Sequence, residues 1–133
     1  MNTTTVARVI AAARVEAERV GKPVTIAVLD VAGVALGLER FGDPGTFTSL
    51  VADGKAMATV SMGRDSSQLA AMAERNPMIV HAMIARLGGR FVAVAGGVLL
   101  IQSGVPVGAI GVSGATADED EQIAKAGAAG LGT

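Results

Sequence analysis

The stretch "RFVAVAGGVLLIQSGVPVGAIGVSG", residues 90–114, decides between two kinds of α/β protein. It holds three short apolar runs rich in β-branched residues, Arg90–Ala95, Val98–Gln102 and Val105–Val112, and these read as strands rather than helices. Ser103 and Gly104 between the last two form a tight hairpin turn. No helix-length connection separates the runs, so they must pair antiparallel, because a parallel pair needs a crossover of a dozen or more residues. Upstream, "KPVTIAVLDVAGVALGLERF", residues 22–41, repeats the pattern. Val24–Leu29 and Val34–Arg40 flank a "VAG" turn and make a second hairpin. The expectation is a five-stranded antiparallel sheet.

Helical periods bracket these strands. Val6, Val9, Ile10, Ala13, Ala17 and Val20 recur at helical spacing behind the cap hydroxyls of Thr3 to Thr5, and Gly21 supplies a stop. Leu50, Val51, Met57, Ala58 and Met62 describe a second helix with an internal Gly54, a cost unless something packs closely there. "DSSQLAAMAER", residues 65–75, reads as a helix capped by Asp65 or Ser66. "PMIVHAMIARLGG", residues 77–89, opens on Pro77 at a helix start. Thr116 or Asp118 caps a last helix. The order, helix, hairpin, helices, meander, helix, predicts an α/β (α+β) fold with helices on one or both faces of the sheet, not a doubly wound parallel sheet.

Composition narrows the function. The 133 residues suit one domain, 1–133, with a real core, and half of them are hydrophobic with three Phe as the only aromatics. Small side chains and close backbone packing must therefore build the interior. Eleven basic residues against twelve acids leave a net charge of −1. With no basic surplus and no stacking platform, nucleic acid is not an expected partner. The absence of cysteine removes disulfides, thiolate metal sites and Cys nucleophiles. Arg8, Arg14, Glu16, Glu18 and Arg19 break any signal-like apolar run, and "FVAVAGGVLLIQSG" is too short for a membrane span, so a cytoplasmic protein with no membrane partner is expected. A mean hydropathy of +0.50 and helices rich in Ala and Met predict a homo-oligomer, with the third helix and the His81 helix as interface candidates.

The run "VGAIGVSGATADEDE", residues 107–121, carries the most site-like pattern. Its glycines, at 108, 111 and 114, lack the spacing and position of a dinucleotide fingerprint. It contains no Gly-Lys-Ser/Thr of a P-loop, and "GVSGA" lacks the closing glycine of a nucleophile elbow. "DEDE" is no EF-hand loop. Two readings stand: backbone N–H groups from Ser113 to Thr116 hold an anion at a helix N-terminus, or Asp118 to Glu121 already compensate the helix dipole on a solvated face.

The separated blocks "VLDVAGVALGLERFGD", "DGKAMATV", Gly96-Gly97 and "GVPVGAIGVSGATADEDEQIAKAG" together resemble the GlcG/HbpS-like family. That family is also labelled haem-degrading domain and includes the C-terminal domain of PduO-type proteins. The resemblance runs from about Pro23 to Ala129. It implies a profilin-like α/β/α sandwich around a five-stranded antiparallel sheet, homo-oligomers, and members that bind haem or sit in catabolic clusters. The family's "D-x-x-G" turn falls on Asp30 to Gly33, its strand-end arginine and following acid on Arg40 and Asp43, and its "K-A-x-T/A" segment on Lys55, Ala56 and Thr59. Its terminal glycine block falls on Gly97, Gly111, Ser113 and Gly114. The chain departs from the pattern after Gly97, where no proline follows. It also has no histidine in helix one, where the resemblance implies one for haem-binding members.

From these residues come two function classes. One is an oligomeric binding protein for haem or another small planar or anionic ligand, with Thr59, Gly97, Gly111, Ser113 and Gly114 as ligand-facing positions. The other is a cofactor-free lyase, isomerase or hydrolase for a small carboxylate or carbonyl metabolite. In it Lys55 and Arg40 hold or polarise the substrate and Asp30 or Asp43 moves the proton. Lys55, Arg40 and Asp30 are expected to converge in one pocket. Asp30 also suits plain turn chemistry, Arg40 an ion pair with Asp43 or another acid, and Lys55 either a stem that carries its ammonium to solvent or an internal ion pair with a nearby Asp. His81, between Val80 and Met83, is a weak haem-ligand candidate or a packed interface residue. With one histidine and no cysteine, no protein-only metal site is expected.

Overall fold

Asn2, rather than the threonines behind it, starts the first helix: its side chain accepts from the Thr5 N–H at 2.8 Å. Helix α1, Thr3–Val20, then ends on Gly21 in the left-handed conformation, as a glycine stop requires. In this computed structural model, which describes residues 1–132, strands β1 (Val24–Asp30) and β2 (Ala35–Phe41) follow. Helices α2 (Thr48–Met62), α3 (Ser66–Arg75) and α4 (Pro77–Arg86) come next, then β3 (Gly97–Gln102), β4 (Val105–Ser113) and α5 (Ala117–Ala129). The sheet order is β2-β1-β4-β3, and every neighbouring pair is antiparallel. No helix among the described residues is long and apolar enough to cross a membrane.

The sheet has four strands, not five. The segment 90–95 is irregular, because its polar groups find partners other than a strand. Val92 N–H donates to the Gly54 carbonyl of α2, and the Val94 carbonyl accepts from Ser66 Oγ. Phe91 turns inward to pack with Ala58 and Leu69. Asp65 and Ser66 do not cap α3 through their side chains; Ser66 Oγ accepts from the Gly97 N–H and Asp65 Oδ1 from the Leu99 N–H. They cover the outer edge of β3, which would otherwise offer open N–H groups to another strand.

Alternation along β1 sets the layers. Val24, Ile26 and Val28 face α1 and α5, joining Val9, Ala13, Ile110 and Ile123 in the main core. Leu29 faces the other way and packs with Ala56 of α2 and with Ala109. Helices thus cover both sheet faces. Thr116 caps α5 in a full capping box, its side chain accepting from the Glu119 N–H while Glu119 returns a bond to the Thr116 N–H. Thr116→Ala is expected to cost about 1 kcal/mol, read as a lower urea midpoint at unchanged slope; an unmoved midpoint would show the cap to be energetically silent.

Candidate functional site

Helix α2 lies directly on the sheet because glycines leave room for its backbone. A Cβ on Gly111 would stand 2.0 Å from the Ala52 carbonyl oxygen, and one on Gly97 would stand 2.4 Å from Thr59 Oγ1 and 2.5 Å from the Lys55 carbonyl oxygen. Lys55 therefore starts flush against β3 and β4, and its stem runs past Gly96 toward the end of the sheet. Its ammonium donates to the Val112 carbonyl at 3.0 Å and to Asp120 Oδ2 at 2.9 Å. Val112 donates its own N–H to the Gly96 carbonyl. Where β3 begins, the ammonium supplies the donor that a longer strand would have given. Both side chains are only 3% exposed.

The carboxylate is fully engaged. Asp120 Oδ1 accepts from the Ala115 N–H at 2.9 Å, so the first turn of α5 closes on its own preceding loop. Burial pushes the Asp120 carboxyl above the ordinary carboxylate range, against the pull of Lys55 and of the backbone N–H groups. This pair ties the layer containing α2 to the layer containing α5 around the end of the sheet.

The residues expected beside Lys55 are elsewhere. Asp30 Oδ1 accepts from the Ala32 and Val34 N–H groups and shapes the β1–β2 turn. Arg40 donates to the Pro44 carbonyl, and its distance to the fully exposed Asp43 carboxylate is 4.0 Å. Asp30 pairs with Gly108 and Arg40 with Thr25, five residues apart along β1, or roughly 17 Å. The expected convergence of Lys55, Arg40 and Asp30 is not formed. Thr59, Gly97 and Gly111 lie at the contact between α2 and the sheet. Ser113 is buried, and Gly114, at φ +139°, has no room for a side chain against the Pro23 carbonyl. His81 is exposed on α4.

Asp120 was the partner missed. A signal for it exists: Asp120, Ile123, Ala124 and Gly127 are the buried residues of α5, at the i, i+3, i+4, i+7 spacing of one helix face. That spacing separates Asp120 from its acidic neighbours in "DEDE".

A groove of about 500 Å³ lies between α1 and β2. Val6, Ala7, Ile10 and Ala11 form one wall, Leu36 to Leu38 the other, with Thr3 at one end and Arg14 with Glu39 also lining it. Gly37 makes the close approach possible, since a Cβ there would meet Ile10 Cδ1 at 2.9 Å. Arg14 Nη1 donates to both Glu39 oxygens, at 2.7 and 2.8 Å. The fork's Nε and Nη2 have no partner within hydrogen-bond distance among the described residues. None of Asp30, Arg40, Asp43, Lys55, Thr59, Gly97, Gly111, Ser113 or Gly114 lines this groove.

Residues 1–129 match the family model described as haem degrading protein HbpS-like. A double mutant of HbpS from Streptomyces reticuli superposes with a TM-score of 0.88 at 34% identity, covering all of this chain and 88% of that one. A haem complex of PduOC superposes equally well, TM-score 0.88, over 98% of this chain and 94% of that one; at 24% identity it speaks for the fold alone. The corrinoid adenosyltransferase PduO of Citrobacter freundii is 27% identical over 120 residues, which are 90% of this chain and 36% of that protein. The chain thus spans about a third of the length of the curated relatives that it matches.

Proposed function

This chain belongs to the family of haem-degrading HbpS-like proteins, and from that premise we propose that it binds a haem-related small molecule, flat, apolar and carboxylated, in the groove between α1 and β2. The observation that carries this reading is the groove itself. Its volume falls in the range of small-molecule sites, its walls are apolar, and a guanidinium with an open edge stands among them. An arginine fork pairs with a carboxylate in two parallel hydrogen bonds. The buried Lys55–Asp120 pair does not line the groove, so a substrate-handling role for Lys55 and Arg40 lacks comparable support.

The parts of haem fit the groove unequally. Small residues on α1 suit a flat apolar face, and Arg14 suits a propionate. The iron has no counterpart, because the groove is lined by no His, Cys, Met or Tyr, the side chains that usually hold haem iron. The reading therefore rests on shape and charge. Titrating the chain with haemin should saturate at one equivalent, followed by haemin absorbance since the chain has no Trp or Tyr. Ala7 is exposed on the groove wall, so Ala7→Phe should fill the groove, abolish saturable binding and leave the melting temperature unchanged. Undiminished binding by this variant would overturn the assignment.

A second copy of the chain is part of the same proposal. Helix α4 buries none of its residues, and Met78 and Ile84 are 73% and 39% exposed. Such exposed apolar side chains on an outer helix suit subunit contact. Light scattering is expected to give a mass at a multiple of 13.2 kDa; a monomer at micromolar concentration would remove this part.

A further inference from the structure

We infer that the α1/β2 groove recognises its ligand without a bond to metal, so that a metal-free porphyrin dicarboxylate binds as well as haemin does. The inference rests on the binding function proposed above and narrows its ligand class. Among the groove's ten lining residues the polar groups are Thr3, Arg14 and Glu39. A neutral hydroxyl is a poor iron ligand and a guanidinium is none. Both Glu39 oxygens already accept from Arg14 Nη1. The chain's one histidine, His81, sits on α4, which packs on α3 beside β3. The order β2-β1-β4-β3 puts β3 and the groove's β2 at opposite edges of the sheet, so within one chain His81 does not reach the groove.

What the groove does offer acts on the organic part of a ligand. Ala7 and Ala11 leave a shallow apolar recess on α1, facing the β2 wall, where Gly37 lets Ile10 and Val6 come close. The Nε–Nη2 edge of Arg14 stays free to meet a carboxylate while Nη1 remains with Glu39. Glu39 thereby fixes the guanidinium in place, which reduces the rotamer freedom lost when a ligand binds. Removing the fork should weaken any carboxylated occupant whether or not it carries iron. A charge-assisted pair of this kind corresponds to roughly ten- to a hundredfold in affinity.

The test is a pair of titrations of the full chain, one with haemin and one with metal-free protoporphyrin IX. Each is repeated on Arg14→Ala, His81→Ala and Ala7→Phe. The expected result is dissociation constants within about threefold of each other, both raised tenfold or more in Arg14→Ala and unchanged in His81→Ala. If haemin binds and is lost in Ala7→Phe, but protoporphyrin binds more than tenfold weaker, the groove reading survives and metal independence is overturned. Loss of haemin binding in His81→Ala likewise overturns it, by showing iron ligation from a neighbouring copy. If neither porphyrin binds saturably, or Ala7→Phe binds both as before, the groove reading falls and this inference falls with it. Arg14 is a partly exposed surface residue, so its truncation leaves the core intact, and circular dichroism checks that directly.

Discussion

Lys55→Met is expected to destabilise the protein by about 3–5 kcal/mol, the usual cost of leaving one member of a buried ion pair without its partner. The variant leaves the buried Asp120 with only backbone N–H groups, Ala115 and Gly114, to hold its charge, and it removes the donor from the Val112 carbonyl. The double variant Lys55→Met with Asp120→Asn should recover most of the loss. Asn keeps an oxygen for Ala115 and carries no charge. Urea unfolding at constant slope measures both changes, and a double variant no better than the single would show that charge is not the cause. The pH dependence has a definite sign. Burial already raises the Asp120 carboxyl, and loss of the ammonium raises it further. A group whose folded pKa lies above its unfolded value contributes stability below the unfolded pKa and loses it as pH rises. The deficit of Lys55→Met should therefore be smallest below about pH 4 and grow toward neutrality. A deficit that shrinks with rising pH would contradict this account.

Gly111→Ala is expected to have the second large effect. The new methyl would stand 2.0 Å from the Ala52 carbonyl oxygen and 2.9 Å from the Ala56 nitrogen. Both are helix backbone, so no side chain can swing aside, and α2 must lift from the sheet. Overpacking usually costs about 1–3 kcal/mol, and a backbone clash of this size belongs at or above the upper end. Displacing α2 would also carry Lys55 away from Asp120, so the damage should not add to that of Lys55→Met. A thermal melt of each single variant and of the pair reads both claims. If Gly111→Ala were as stable as the parent, the glycine would have to be explained by a ligand's approach rather than by packing.

The packing role of Gly111 illustrates how unevenly the site was legible. A glycine inside a strand announces that something comes close, and Gly111, within the expected strand Val105–Val112, carried that signal, whereas Gly97 and Gly114 lie outside the expected strands. It does not say what comes close. A ligand and a helix backbone make the same demand for the absence of a Cβ, and here the neighbours are α2 at Gly97 and Gly111 and the Pro23 carbonyl at Gly114. Asp30 shows the opposite case. Its turn chemistry is local, reaching only the N–H groups two and four residues ahead, so the bland reading of that acid could be made from the sequence and describes its contacts in the structure. The groove had no local signature at all, since its two walls come from residues 3–14 and 36–39 and neither half is unusual alone.

What the sequence determined by itself is the antiparallel character of the sheet and some of its helix ends. These follow from short-range chemistry: turn residues between β-branched runs, the stop at Gly21, and the cap at Thr116. The tertiary structure decided what depends on competition between distant partners. Residues 90–95 have the composition of a strand, yet the Gly54 carbonyl and the Ser66 hydroxyl supply the hydrogen-bond partners that a neighbouring strand would have offered, so the fifth strand does not form. Lys55 has the neighbours of a partly buried lysine, but its carboxylate lies 65 residues away, chosen by the way α2 rests on glycine and α5 folds back over the end of β4. A buried charge must find a partner wherever the chain's packing brings one, and that choice is made in three dimensions.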